Sequence, residues 1–245
     1  MSLRMPTPLQ MVAALAILFL TAVVLFPVFV HPRECARCGV SCASNMKQLG
    51  LALEQYAQDN DYMMPNIYVR SPSNTWRSLI FPYAKAQGIY QCPDRHQDDH
   101  DENPIGVDGF SQNYAANYTG NYSRKQSDRG WGAFAGPGSQ PIALADVPDS
   151  ANLITLMEAA YNPFPDYNID NARNFSPASR RFWAGHHGRS SYLFLDGHVK
   201  WLRPLATYQK ANGRVVKNLW YRDGMQPLSA NGVAVLQDAQ ARFRP

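Results

Sequence analysis

The sequence predicts an α+β fold in which a long N-terminal helix, apolar in its first half and amphipathic in its second, packs on an antiparallel β-sheet. Three observations carry that prediction. Residues 6–30, PTPLQMVAALAILFLTAVVLFPVFV, form a run without a single charge. Residues 42–61, CASNMKQLGLALEQYAQDND, bring apolar side chains round at helical spacing. Residues 186–202, HHGRSSYLFLDGHVKWL, set Asp196-Gly197 between two apolar runs, a strong short-range hairpin signal.

The apolar run comes first. At ~1.5 Å of rise per residue it is long enough as a helix to cross a hydrocarbon core of ~30 Å. It exceeds the roughly 7 to 15 apolar residues of a secretory signal and lacks a small-x-small cleavage site, which favours a retained membrane helix. Leu18, Val23, Phe26 and Pro27 lie in this run, and Pro27 is placed to kink it. Arg4 precedes the run while Arg33 and Arg37 follow it, offset in part by Glu34, so the distribution of positive charge leaves the orientation open.

The helical pattern continues beyond the run. Met46, Leu49, Leu51, Leu53 and Tyr56 form an apolar stripe beside the polar Glu54, Gln55 and Gln58, and Asp59, Asn60 and Asp61 read as the stop. One helix of about fifty residues is implied, and its amphipathic half needs a folded domain to cover it. The chain then divides into residues 1–30 (stub and apolar helix), 31–60 (amphipathic continuation) and 61–245 (globular domain). Strands are expected over 88–92, 112–117, 152–157, 191–195 and 198–202, where β-branched, aromatic and aliphatic residues recur. Long loops rich in Gly, Asn, Asp, Pro and Ser fill 94–110, 118–140 and 161–179. Loops of such length carry a function or need a tether. Asp196-Gly197 reads as a two-residue type I′ turn, which requires positive φ at both positions.

Composition narrows the function. The net charge of +4 over 245 residues is mild, and Lys and Arg are scattered, which argues against a nucleic-acid partner. No G-x-S-x-G elbow, P-loop, H-E-x-x-H or dinucleotide fingerprint is present, so the expectation is a protein that is not an enzyme. Ser190 and Ser191 beside His186 and His187 resemble a nucleophile and base only superficially, because adjacent residues entering a strand point to opposite faces. His186, His187, His198 and Asp196 are metal-ligand types. Their spacing fits no metalloprotease pattern, and the reading of His186, Asp196 and Gly197 is structural: turn chemistry, with His186 tying the incoming loop to the hairpin.

Cys35, Cys38 and Cys42 fall on one helix face, and Cys92 lies far off in QCPD. Four thiols on an exported domain read as disulfides. Cys35 and Cys38 have three open fates: an internal bridge, a bridge to another subunit, or a four-thiolate metal site. DRHQDDHDENP, residues 94–104, crowds five acids and two histidines into one loop. Asp94, Asp98, Asp99 and Asp101 are candidate calcium ligands there, against the alternative of a solvated acidic loop. Calcium is the one cofactor the sequence brings up. The sequons at Asn117, Asn121 and Asn174 matter only if the source glycosylates them.

The order of a short basic stub, an apolar helix interrupted by FPVF (26–29) and then CASNMKQLGLALEQYAQDND resembles the type IV pilin-like proteins. Among these it is similar to the branch described as prepilin-type with an H-X9-DG domain. WRSLIFPYAKAQGIYQCPD (76–94), IALADVPDSANLITLMEA (142–159) and His186 followed by nine residues and Asp196-Gly197 extend the resemblance to about residue 204. It implies a subunit of a type IV pilus-like or type II secretion pseudopilus-like filament. Such a subunit sits in a bacterial inner membrane before assembly, engages secretion or pilus machinery, and ends in a homo-oligomeric helical filament or at the cell surface. Leu18, Val23, Phe26 and Pro27 would lie in the filament core. The resemblance favours a Cys42–Cys92 disulfide, closing a loop of about fifty residues worth ~4 kcal/mol in the chain-entropy model; Cys35 and Cys38 are extra to the pattern. Calcium tethers a loop in related secretion pseudopilins. Two positions depart from the family. The glycine before the cleavage point falls on Met5, and the glutamate that pairs with a neighbour's amine falls on Gln10. These departures keep a second reading open: an uncut, membrane-anchored minor pseudopilin or binding module that presents its loops to cargo or a surface ligand.

Overall fold

The computed structural model describes residues 8–30, 32–67, 74–93, 106, 108–111, 113–118, 132–136, 140–160, 166–167, 177–179 and 182–242; at 23–30, 32–38, 166–167 and 179 the backbone alone is described. In chain order the elements are helices α1 (Pro8–Val30), α2 (Pro32–Asp59) and α3 (Trp76–Ala84), then strands β1 (Tyr114–Asn117), β2 (Ile154–Glu158), β3 (Asp166–Tyr167), β4 (Ser190–Phe194), β5 (Val199–Leu202), β6 (Tyr208–Ala211) and β7 (Arg214–Asn218), and last helix α4 (Ala230–Arg242). The fold is α+β. The expected helix of about fifty residues takes the form of α1 and α2, with residue 31 between them outside the described residues.

The chain separates into two compact units, Met1–Cys38 and Gly39–Pro245. In the first, α1 carries Leu18 on an exposed surface, while the side chains of Val23, Phe26, Pro27, Cys35 and Cys38 lie outside the described residues. Among the described residues no helix is long and apolar enough to cross a membrane. Side chains on α1 are described from Pro8 to Ala22, a span of ~22 Å at 1.5 Å per residue against the ~30 Å of a hydrocarbon core.

The second unit is built on a five-stranded sheet of order β3-β1-β2-β4-β5. Every pairing is antiparallel except the short one of β3 along β1. β1, β2 and β4 are buried on both faces. On one face Tyr114, Ala116, Leu156 and Leu193 meet Cys42, Met46, Leu49 and Leu53 of α2. These α2 positions recur at three and four residues, the period of a helix face. Leu51, assigned to the same stripe from sequence, is half exposed. Two residues past Leu49 it lies roughly 200° round the helix, on the far side from the sheet.

The opposite face was not anticipated. Ala115, Ile154, Met157, Tyr192 and Phe194 pack there against Leu219, Trp220, Val235 and Leu236, supplied by the segment after β7 and by α4. A register shift between Ile154 and Leu156 explains why these two residues, two apart on β2, serve different faces. Asn117 joins this layer to the sheet, its Nδ2 donating to the carbonyls of Ile154 at 2.8 Å and Trp220 at 2.9 Å. The first of the three sequons is therefore committed to the interior, and Asn121 and Asn174 lie outside the described residues.

Two local expectations are corrected. Residues 88–92 form no strand: Gln87–Tyr90 is a 3₁₀ turn that tucks Ile89 and Tyr90 inward, with the Tyr90 hydroxyl donating to the Arg77 carbonyl at 3.1 Å. The hairpin at Asp196-Gly197 exists, but its loop has three residues rather than two. Leu193 pairs with Val199, the Gly197 N–H donates to the Phe194 carbonyl at 2.9 Å, and only Gly197 (φ 81°) has positive φ. Asp196 keeps negative φ because the single left-handed residue after the turn supplies the reversal, the arrangement of a turn followed by a glycine bulge.

Candidate functional site

The motif residues split between two places at the ends of β4. At the turn, Asp196 accepts from the His198 backbone N–H and pairs with His198 Nδ1 at 2.5 Å, and the His198 ring stacks on Phe194 at 4.3 Å between centroids. The Gly197 carbonyl accepts from Lys47 Nζ at 2.6 Å, so the bend is fastened to α2. His198 and His186 occupy opposite ends of β4 and form no joint site.

His186, at the other end, is buried in a cluster drawn from four parts of the chain. α2 supplies Cys42, the loop after the 3₁₀ turn supplies Cys92, the end of β2 supplies Glu158, and the approach to β4 supplies His186. Cys42 and Cys92 are joined in a disulfide with Cα atoms 5.2 Å apart. His186 Nε2 stands 3.0 Å from Glu158 Oε1 and 3.8 Å from Cys92 Sγ. The other carboxylate oxygen accepts the Ser191 N–H at 2.8 Å, and Glu158 is wholly shielded from solvent. The imidazole is walled by aromatic rings: Trp183 meets it edge-on at 4.6 Å and Trp201 stacks on it at 5.7 Å.

Local backbone choices place these groups. Met157 pairs with Tyr192 across β2 and β4, which brings the Glu158 end of β2 to the start of β4. His187 (φ 52°) and Gly188 (φ 74°) turn the chain so that the Arg189 N–H returns to the His186 carbonyl at 3.1 Å. Trp201 is held by its Nε1–H donating to Ser191 Oγ at 2.7 Å. It also packs closely on Gly39 of α2, where an added Cβ would clash with the indole. Ser191 thus accepts from Trp201 through its hydroxyl and donates to Glu158 through its backbone N–H. The disulfide is supported by Asn113 Oδ1, which accepts the Cys92 N–H at 3.0 Å, and by Tyr114, whose hydroxyl donates to the Cys42 carbonyl at 3.4 Å. Burial, with Glu158 adding to it, pushes the phenols of Tyr114 and Tyr192 far above their ordinary range.

The Cys42–Cys92 bridge that the resemblance implied is present, and His186 was singled out apart from it; sequence reasoning did not bring the two together, and it missed Glu158, Trp183 and Trp201. The available signal was one carboxylate closing the apolar run ITLME. A buried charge needs a partner, and a histidine beside a fellow strand was the natural one. A second buried pair was also missed. Arg77, at the start of α3, is 3.1 Å from Asp108, donates to the Tyr114 carbonyl at 2.9 Å and lies over the Trp76 ring. Asp94, Asp98, Asp99 and Asp101 lie outside the described residues. A cavity of about 280 Å³ between α2 and the hairpin turn is lined by Leu53, Met64, Thr155, Leu193 and Asp196 among others.

Cys42, Cys92 and Arg77 all fall within residues 31–140, a stretch that a family model matches. Residues 31–140 match the family described as protein of unknown function, DUF1559. The match takes in α2, α3 and β1 and ends before Glu158, His186 and Gly197, so it covers the disulfide and not the whole cluster. No curated protein and no solved structure matches the chain.

Chemically, the cluster is a closed junction. Its donor groups are shielded from solvent, and each is engaged by another part of the chain. The arrangement cross-links α2, the Cys92 loop, β2 and β4 around one imidazole.

Proposed function

We propose that the protein is a structural subunit of a type IV pilus-like or pseudopilus-like extracellular filament, assembled through its N-terminal apolar helix and performing no catalysis of its own. The observation that carries this reading is the contrast between the two helices. α2 buries a regular face on its own sheet, whereas Leu9, Leu15, Leu18 and Phe19 of α1 each leave more than three-fifths of their surface exposed. An exposed apolar surface of that extent needs a cover. Lipid before assembly and equivalent helices of neighbouring copies afterwards are both apolar, so transfer between them changes hydrophobic free energy little and packing detail sets the direction. The charge-free run of residues 6–30 and the order of the motifs support the same reading, with a bacterial inner membrane as the first location and the cell surface as the last. Secretion or pilus machinery would be the assembling partner.

A second reading, a membrane-anchored minor pseudopilin or loop-presenting binding module, is favoured by Met5 and Gln10, which stand where the resemblance implies a glycine and a glutamate. Electron microscopy of sheared cell-surface material, with peptide mass analysis of the filaments, separates the two. Filaments built mainly of this chain support the first reading; the chain recovered only from membranes, with no filament content, supports the second.

A further inference from the structure

The buried cluster contains a feature that a structural junction does not require. Sγ of Cys42 and Cys92, a carboxylate oxygen of Glu158 and a ring nitrogen of His186 lie within 4.8 Å of one another, and all four residues are buried. We propose that reduction of the Cys42–Cys92 bond turns this junction into a four-ligand site for a borderline-soft divalent cation, with zinc as the ion its two sulfurs, one nitrogen and one oxygen suit.

The distances already approach those of such a site. Tetrahedral zinc with bonds of ~2.3 Å to sulfur and ~2.0 Å to nitrogen or oxygen holds neighbouring ligand atoms roughly 3.3 to 3.8 Å apart. His186 Nε2 is 3.8 Å from Cys92 Sγ and 3.0 Å from Glu158 Oε1, so one atom of the imidazole faces both prospective co-ligands. Once the bond is cleaved, rotation about each Cα–Cβ bond parts the two sulfurs. The outer shell is also in place. The Ser191 N–H holds the second oxygen of Glu158, and Trp183 and Trp201 fix the ring plane and exclude water, the kind of support that orients metal ligands.

The chemistry balances with a dithiol as reductant. Its thiolate attacks one sulfur of the protein disulfide and a mixed disulfide forms. The second thiol of the reductant then displaces the protein sulfur, which leaves an oxidised reductant and two protein thiols. Zinc binding takes both as thiolates and releases their two protons, and it requires His186 Nε2 to be unprotonated. Because the site is closed, the ion enters during folding or a local opening, so its binding free energy is added to folding. In a reducing compartment the metal would fasten all four segments of the junction, two of which the disulfide joins in an oxidising one.

The test uses the full chain in detergent with Cys35→Ser and Cys38→Ser, which removes the other two thiols, kept reduced with a phosphine and titrated with Co²⁺. The expected result is one Co²⁺ per chain, the ligand-field bands of a tetrahedral ion, thiolate-to-cobalt charge transfer, and displacement by Zn²⁺; the oxidised chain should show none of these. If reduction unfolds the globular unit, Co²⁺ should restore its circular dichroism. Cys92→Ser should abolish the charge-transfer band of its sulfur, and His186→Gln should weaken binding at least tenfold. A reduced parent that yields no thiolate-to-cobalt band, whether folded or unfolded, overturns the proposal. So does a stoichiometry and affinity unchanged by both Cys92→Ser and His186→Gln.

Discussion

Glu158 and His186 are the residues on which the interior depends most, since each would be costly alone. Removing one member of a buried pair strands the other, typically at a cost of about 3 to 5 kcal/mol, whereas replacing both with apolar groups avoids most of that penalty. His186→Leu is therefore expected to destabilise the globular unit by about that amount, and the double variant Glu158→Leu/His186→Leu by clearly less than the sum of the singles. A double-mutant cycle from urea denaturation measures the coupling; simple additivity would mean that the 3.0 Å contact contributes nothing. The turn at the far end of β4 supports a different contrast. Gly197 holds φ of 81°, so Gly197→Val should cost more than ~1 kcal/mol. His198→Gln, at a partly exposed ring, should change stability by less than ~0.5 kcal/mol. Equal effects from the two substitutions in the same denaturation experiment would contradict the role given to the bend.

Among the elements, α2 and the β4–β5 hairpin were the most legible, because each has a period. Met46, Leu49 and Leu53 return to one helix face, and Tyr192 and Phe194 alternate with Leu193 across a strand. What lacked a period was misread or passed over. The 88–92 segment has an apolar pair and no alternation, and it became a 3₁₀ turn. α3 was passed over although Thr75 caps it, its side chain accepting the Arg77 N–H at 3.2 Å; the aromatic and proline content of WRSLIFPYA hides a helix whose burial is tertiary. The type I′ turn expected at Asp196-Gly197 is instead the connection of β6 to β7. There Asn212 (φ 51°) and Gly213 (φ 75°) both take positive φ between the paired Ala211 and Arg214. The dipeptide was as clear in one place as in the other, and register, which sequence does not display, decided between two residues and three. The candidate site was the least legible, because its members are scattered along the chain from Cys42 to His186. The α2 assignment yields a sharp test on the chain from Gly39 onward, a start that retains Cys42. Leu53→Asp should unfold this fragment, since it buries an unpaired ion, while Leu51→Asp on the exposed side should leave its circular dichroism and melting temperature nearly unchanged. Equal tolerance at both positions would mean that α2 does not dock as described.

For the molecule as a whole, the sandwiching of the sheet between α2 and the C-terminal layer makes alkaline pH a weakness. Burial raises the phenol pKa of Tyr90, Tyr114 and Tyr192, so the folded state holds them neutral. In the unfolded chain they ionise near 10. Their contribution to stability is therefore complete below about pH 10 and is lost as pH rises through and beyond it, toward the higher folded values. Urea midpoints should be flat with respect to these groups from pH 7 to about 9 and fall steeply above 10; Tyr192→Phe, which carries no ionisable phenol, should soften that fall. The disulfide bears on the molecule in a mechanical sense. Tension applied between α1 and the C-terminus enters the second unit near Cys42 and crosses directly to Cys92, so the intervening chain, with most of α2 and all of α3, carries no load. Between the two bridged cysteines a chain pulled in this way would not lengthen, and beyond them it would yield from residue 92 onward. At ~3.4 Å per residue the shielded loop, with a sequence separation of 50, withholds about 170 Å of extension that reduction would release. Single-molecule pulling with and without a reductant should resolve that difference in contour length.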